Sequence, residues 1–283
     1  MSQPKQTFAY SITPRDKLLD LRLRDIWNFR DLLMLFVHRD FVAYYKQTIL
    51  GPLWFFIQPL LTTLVFTVIF GKVAKISTDG LPPLLFYLAG VTAWNYFAEC
   101  FRKTSNSFTQ NAHIFGKVYF PRVIVPLSAT ITNLITFGIQ FLLFLGFLFY
   151  FIYSGADINP NMHIFLFPVL IMLMGIMGLG FGMVVSALTT KYRDLQFLVA
   201  FGIQLLMYAT PVIYPISTIP EKYRWIIIAN PMTSVIETFR YSFLGAGTFN
   251  WNGIIYSCLF TAGIFLVGLV IFNRTEKNFM DTV

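Results

Sequence analysis

Six stretches of this chain are each about as long and as apolar as a helix that crosses a bilayer, and no other sequence feature limits the fold as much. A hydrocarbon core of about 30 Å takes roughly 20 apolar helical residues. The stretches run about 53–71, 84–101, 123–153, 164–188, 195–215 and 253–272. The third is long enough to tilt or to protrude. Pro59, Pro126, Pro168 and Pro211 fall inside or near these runs, which membrane helices tolerate when neighbours re-satisfy the backbone. Hydrophobic residues make up 56% of the 283, and charged residues only 12%, where a soluble domain carries about 25%. The expected fold is an all-α integral membrane protein with six transmembrane helices.

The basic residues orient those helices. Sixteen of the 21 Lys and Arg lie before the first run, between the second and third, between the fourth and fifth, and after the sixth. Only Lys72, Lys75, Lys222, Arg224 and Arg240 fall on the other side. The positive-inside rule then predicts both termini in the cytoplasm. The net charge of +8 therefore reads as topology, and nucleic acid is not an expected partner. Residues 1–21 are polar without an apolar centre, so they read as a flexible cytoplasmic tail ahead of a single domain over 22–283. Cys100 and Cys258 both fall in predicted spans, and His38, His113 and His163 are scattered, so no metal site is expected.

Three non-spanning stretches carry pattern. Over 22–46, Ile26, Phe29, Leu33, Phe36, Val37, Phe41 and Tyr44 recur at helical spacing among charges, which predicts an amphipathic helix along the cytoplasmic interface. The polar loop 102–122 has helix-forming character over Ser105–Lys117. Residues 216–250 are too long for a plain loop, and Pro215, Pro220 and Pro231 interrupt them too often for a seventh span. Short re-entrant or interfacial helices, a hairpin between spans five and six, fit best.

Few side chains announce chemistry. Glu99 lies within reach of Arg102 and Lys103, which favours a structural ion pair over a proton relay. Glu237 and Arg240 are three apart and face each other on a helix, bracing the hairpin or forming an exit gate. Arg193 and Asp194 read equally as a local pair or a partner contact. Gly175, Gly178, Gly180 and Gly182 in the fourth run signal close helix packing. The chain has no G-x-x-x-x-G-K-[ST] phosphate loop.

Four strings recur in order along the sequence. They are Arg39-Asp40-Phe41 with Tyr44–Trp54 and Gln58-Pro59-Leu60, then Phe120–Leu127, then Lys191–Leu195, then Asn230–Thr233 with Ile236–Arg240. Together they resemble the type-2 permeases of ATP-binding cassette exporters, in the branch that exports O-antigen, capsule or teichoic-acid polymers. The resemblance implies a non-enzymatic half-transporter in a bacterial inner membrane. Its partners would be a second copy of the chain, two ABC ATPase subunits, membrane lipid and a polyprenyl-diphosphate-linked glycan. ATP and Mg would be bound by the ATPase, with no cofactor in this chain.

The resemblance also implies site residues. It places a lipid-diphosphate gate at the turn into span one, at Arg39, Tyr44, Tyr45, Lys46 and Gln47, where a guanidinium can grip phosphate bidentately. The same charges also read as topology signals and snorkelling groups. Conduit-lining aromatics would come from spans one and five, at Trp54, Phe55, Phe66, Tyr208 and Tyr214; lipid-facing packing is the plainer reading of each. Asn106, Asn111, His113 and Lys117 would dock on the ATPase. Drug or small-lipid efflux within the same superfamily is the alternative function. A membrane transferase would need clustered acids or histidines, and an ion-coupled carrier buried charges or repeats.

Overall fold

The computed structural model describes residues 23–46, 48–115, 117–118, 120–192 and 194–279. Gln47, Arg193 and the 1–21 tail lie outside these, as do the side chains of Tyr44 and Tyr45. Among the described residues every regular element is helical. In chain order they are α1 (Leu23–Asn28), α2 (Arg30–Tyr45), α3 (Trp54–Phe66), α4 (Pro83–Ser105), α5 (Ser107–Phe115), α6 (Ile124–Tyr153), α7 (Phe167–Thr189), α8 (Leu195–Tyr208), α9 (Glu221–Ile228), α10 (Pro231–Leu244) and α11 (Trp251–Phe279).

Among the described residues, four helical stretches are long and apolar enough to cross a membrane: Gly51–Val73, Ile124–Tyr153, Met162–Thr189 and Trp251–Glu276. The other two expected spans differ in instructive ways. Helix α4 is 23 residues long but carries Thr92, Tyr96 and Glu99 among its apolar residues. It is surrounded by α3, α6, α7, α8 and α10. A helix shielded by protein has no need to be apolar all round.

Helix α8 is 14 residues long, about 21 Å, and stops at Tyr208 rather than near 215. Pro211 lacks an N–H, so an unbroken helix through it would lose a hydrogen bond. The chain instead turns irregularly over 209–215. Pro168 sits at the start of α7 and Pro126 in the first turn of α6, leaving Pro59 inside α3.

Helix α3 runs on into a π-helix over Thr67–Val73, where Ala74 N–H donates to the Ile69 carbonyl. Ahead of α3, Gly51, with φ of +50°, and Pro52 form a 3-10 turn over Gly51–Leu53 that leads into the helix.

The fourth-run glycines are explained by contact. A Cβ on Gly178 would stand 2.7 Å from the Phe97 carbonyl oxygen of α4, and one on Gly180 3.0 Å from Cα of Phe265 on α11. Helix α7 is thus wedged between α4 and α11 at backbone distance, as small residues permit in membrane bundles.

Helices α1 and α2 break at Phe29. Leu33, Phe36 and Val37 are buried, and α2 packs on α6. The apolar stripe read from the sequence therefore faces protein. Trp27, Met34 and Leu35 make a second apolar surface that is exposed.

Residues 216–250 form a 3-10 turn, the exposed α9 and the buried α10. Asn230 caps α10 by accepting from Met232 N–H, Pro231 opens it, and Gly245 closes it with φ of +75°.

Candidate functional site

Charged groups gather at two places at opposite ends of α4. The first is a cleft of about 650 Å³ lined by Arg39, Asp40, Arg102, Lys103, Gln110 and Asn111, with Val125 and Ala129 of α6 against it. Arg39 lies over the Phe36 ring, 4.7 Å from its centre, and pairs with Asp40 at 2.7 Å. Its Nη2 also donates to Asn111 Oδ1 at 3.5 Å. Arg102 grips both oxygens of Glu99 at 2.7 and 2.8 Å, so the expected ion pair forms. Lys103 is half-buried in the same cleft.

Of the expected docking residues, Asn106, Asn111 and His113 line this same cleft and Lys117 does not. His113 and Lys117 are exposed, and Asn106 is half-buried. Asn111 is buried instead, and donates to the Ser107 carbonyl while accepting from Arg39. It braces the cleft from within. Gln196 at the start of α8 donates to Thr109 Oγ1 at 3.1 Å, tying α5 to the shortened helix.

Sequence reading did not group Arg102 and Lys103 with Arg39, because more than sixty residues separate them. Nor did it single out Arg122, which is buried under the Phe115 ring and donates to the Glu276 carbonyl at 2.7 Å. That bond fastens the end of α11 to the corner between α5 and α6. Arg122→Ala is expected to destabilise by about 1–3 kcal/mol, read as a lower melting temperature of the detergent-solubilised protein.

The second place centres on Arg240, only 1% exposed. Its guanidinium donates to the carbonyls of Pro211 and Val212, the irregular stretch that follows α8. Its Cζ lies over the Phe86 ring of α4, 3.8 Å from the ring centre. Glu237 sits 3.4 Å from Nη1, and its other oxygen accepts from Thr248 N–H at 3.2 Å and Thr248 Oγ1 at 3.4 Å. The proline break frees backbone acceptors, and Arg240 satisfies them. The pair proposed from i,i+3 spacing therefore exists, and it braces three segments at once: α4, the 209–215 turn and α10.

The aromatics divide. Phe55 stacks on Phe41 at 5.6 Å, and Phe66 packs on Phe70 and Tyr87, so both belong to the core of one chain and line no open surface of it. Trp54 and Tyr208 remain 44% and 46% exposed. Tyr214 donates to the Tyr208 carbonyl and borders an outer hollow of about 600 Å³ with Lys75 and Tyr223.

Apolar helices long enough to cross a membrane, with charges gathered at the two ends of the bundle, make this a helical membrane protein. The chain belongs to the ABC-2 type transporter family, whose pattern matches residues 31–244. It is 34% identical over 253 residues to the O-antigen export system permease protein RfbA of Klebsiella pneumoniae, covering 89% of this chain and 94% of that one. The protein of the same name from Myxococcus xanthus is 30% identical over 225 residues, covering 78% of this chain and 83% of that one. The polysialic acid transport protein KpsM of Escherichia coli is similar at 18% over 234 residues, 82% of this chain and 89% of that one.

Proposed function

We propose that this chain is the membrane half of an ATP-driven exporter that moves a lipid-linked polysaccharide from the cytoplasm across a bacterial inner membrane. The carrying observation is near full-length similarity, at 30% identity or more, to permeases named for O-antigen export. Those relatives favour the polymer branch over drug or small-lipid efflux. In this reading two copies pair, each on an ABC ATPase subunit that binds ATP and Mg. Helices α4 and α8 complete a six-span topology with both termini in the cytoplasm, α2 lies at the interface, and α9 with α10 forms the outer re-entrant hairpin.

The site residues take the following roles in this reading. His113, Lys117 and Asn106 are the surface offered to the ATPase. Arg39, with Tyr44, Tyr45, Lys46 and Gln47 at the entry to span one, receives the diphosphate headgroup. Trp54, Tyr208 and Tyr214 give a sliding glycan flat apolar faces. Glu237 and Arg240 keep the outer hairpin closed around its end of the bundle.

Deleting the gene in its own host tests the proposal. The polymer should accumulate inside the cell and vanish from the surface, with export restored by the wild-type chain. Co-purification of an ABC ATPase is expected alongside. Unchanged surface glycan together with purification free of any ABC ATPase would overturn it. Arg39→Ala is expected to lower export about tenfold while the complex stays intact, since a hydrogen bond to a charged group contributes about 1.5–3 kcal/mol. Surface polymer measured against complex yield checks this.

A further inference from the structure

The outer hollow beside Tyr214 has a lining that the export roles leave unused. Its walls come from residues 74–77, just past the membrane-length stretch Gly51–Val73, and from 218–227, which include most of α9. We propose that this hollow binds an anionic phospholipid of the outer leaflet, with the phosphate at Lys75 and an acyl chain against Ile226 and Ile227. The proposal uses the orientation given in the export reading and nothing of its cargo.

Charge points to an anion. Lys72, Lys75, Lys222, Arg224 and Arg240 are the cations outside the cytoplasmic set, and Arg240 is buried in its clamp. The other four all fall on or beside the two segments that wall the hollow. Cations are sparse on an outer face, so their collection at one spot calls for a partner. The acids on these segments are Asp79, which accepts from Ser217 Oγ at 2.7 Å, and Glu221 in the first turn of α9. Four cations against two acids leave the rim positive. Lys75 is exposed and pairs with no carboxylate among the described residues. It also closes the helix before it, with φ of +52°, where Ile76 N–H donates to the Phe70 carbonyl at 2.9 Å. Glycine fits that left-handed position without strain; lysine there adds a charge at the rim. Arg224 Nη2 donates to the carbonyl of Ile219, a lining residue, at 3.3 Å. Its Nε is buried and meets no acceptor among the described residues, a rare state for a donor.

The walls point to a lipid rather than a soluble anion. Ile76, Ile219, Pro220, Ile226 and Ile227 give the hollow an apolar interior of about 600 Å³, room for a glycerophosphate and the first part of a chain. Tyr223 lines it too, with Lys222 lying over that ring at 5.6 Å. Basic and aromatic side chains around an apolar slot suit a phospholipid headgroup at the membrane surface. A lipid seated there touches both the end of the first membrane-length stretch and α9, and ties the two together.

The test is photolabelling. The full-length protein is irradiated in nanodiscs doped with phosphatidylglycerol that bears a diazirine on one acyl chain, and labelled peptides are sequenced by mass spectrometry. Label is expected on 74–77 and 219–227, competed by unlabelled phosphatidylglycerol and not by phosphatidylcholine. Lys75→Met should lower that labelling about fivefold, the contribution of one basic residue facing anionic lipid, and Lys75→Arg should keep it. Both leaflets carry the probe, so a failure of the proposed orientation cannot be mistaken for a failure of the site. Absence of label from both segments, equal competition by phosphatidylcholine, or unchanged labelling of Lys75→Met would each overturn the proposal and leave the export reading standing. Displacement of the probe by a water-soluble uronate oligosaccharide would make the hollow a glycan subsite and overturn it as well.

Discussion

Arg240→Met is expected to be among the most damaging single substitutions in this chain, destabilising it by about 3–5 kcal/mol and abolishing export. Methionine has the length to fill the space but no donor. The carbonyls of Pro211 and Val212 and the buried Glu237 carboxylate would lose the guanidinium together. Removing one partner of a buried pair costs far more than the pair contributes, because the survivor stays desolvated and uncompensated. Two further variants separate charge from geometry. Arg240→Lys keeps the charge, yet one ammonium cannot serve two carbonyls and also cover the Phe86 ring as the guanidinium does. It should recover only part of the loss. Glu237→Gln combined with Arg240→Met removes the stranded carboxylate and should be more stable than Arg240→Met alone. Thermal unfolding followed by size-exclusion fluorescence reads all three. A wild-type melting curve for Arg240→Met would show that the clamp stabilises nothing.

How far the sequence led depended on what each feature needed. The positions of the long helices were legible because apolar run length is a local property. α6 at Ile124–Tyr153 coincides with the run read as 123–153 to within a residue. The Glu99–Arg102 and Glu237–Arg240 pairs were legible for the same reason, since i,i+3 spacing fixes proximity before any tertiary fold exists.

What escaped needed the third dimension. Nothing in Phe55 or Phe66 distinguishes an aromatic buried against Phe41 or Tyr87 from one lining a conduit. Asn111 looked like any polar residue of a docking loop until Arg39, 72 positions away, appeared beside it. The end of α8 shows the limit most clearly. Pro211 reads from the sequence as a proline the membrane helix tolerates, and apolar composition carries the expected span on to 215. Only the fold shows a charged side chain waiting at the broken end. Membrane runs report where a chain avoids water; they do not report where its backbone stays helical.

Gly178→Leu is expected to prevent the bundle from assembling. A Cβ there would already lie 2.7 Å from the Phe97 carbonyl oxygen and 2.8 Å from Cys100 Cβ, well inside contact distance. The rest of a leucine side chain has nowhere to go, because α7 is held on its other side by α11 through Gly180 and Gly268. Neither neighbour can yield alone. Moving α4 outward would also disturb Phe86 and Gly90, against which Arg240 is seated. Overpacking a tight core costs about 1–3 kcal/mol when it can relax, and this contact, wedged between two backbones, should exceed that range. Gly138 and Gly146 on α6 supply the control. A Cβ at either meets nothing within 4 Å, so Gly138→Leu should express, fold and export as wild type does. The comparison holds helix propensity and added apolar bulk fixed and varies only the space available. Equal yields of monodisperse protein from Gly178→Leu and Gly138→Leu would mean that α4, α7 and α11 do not pack at backbone distance.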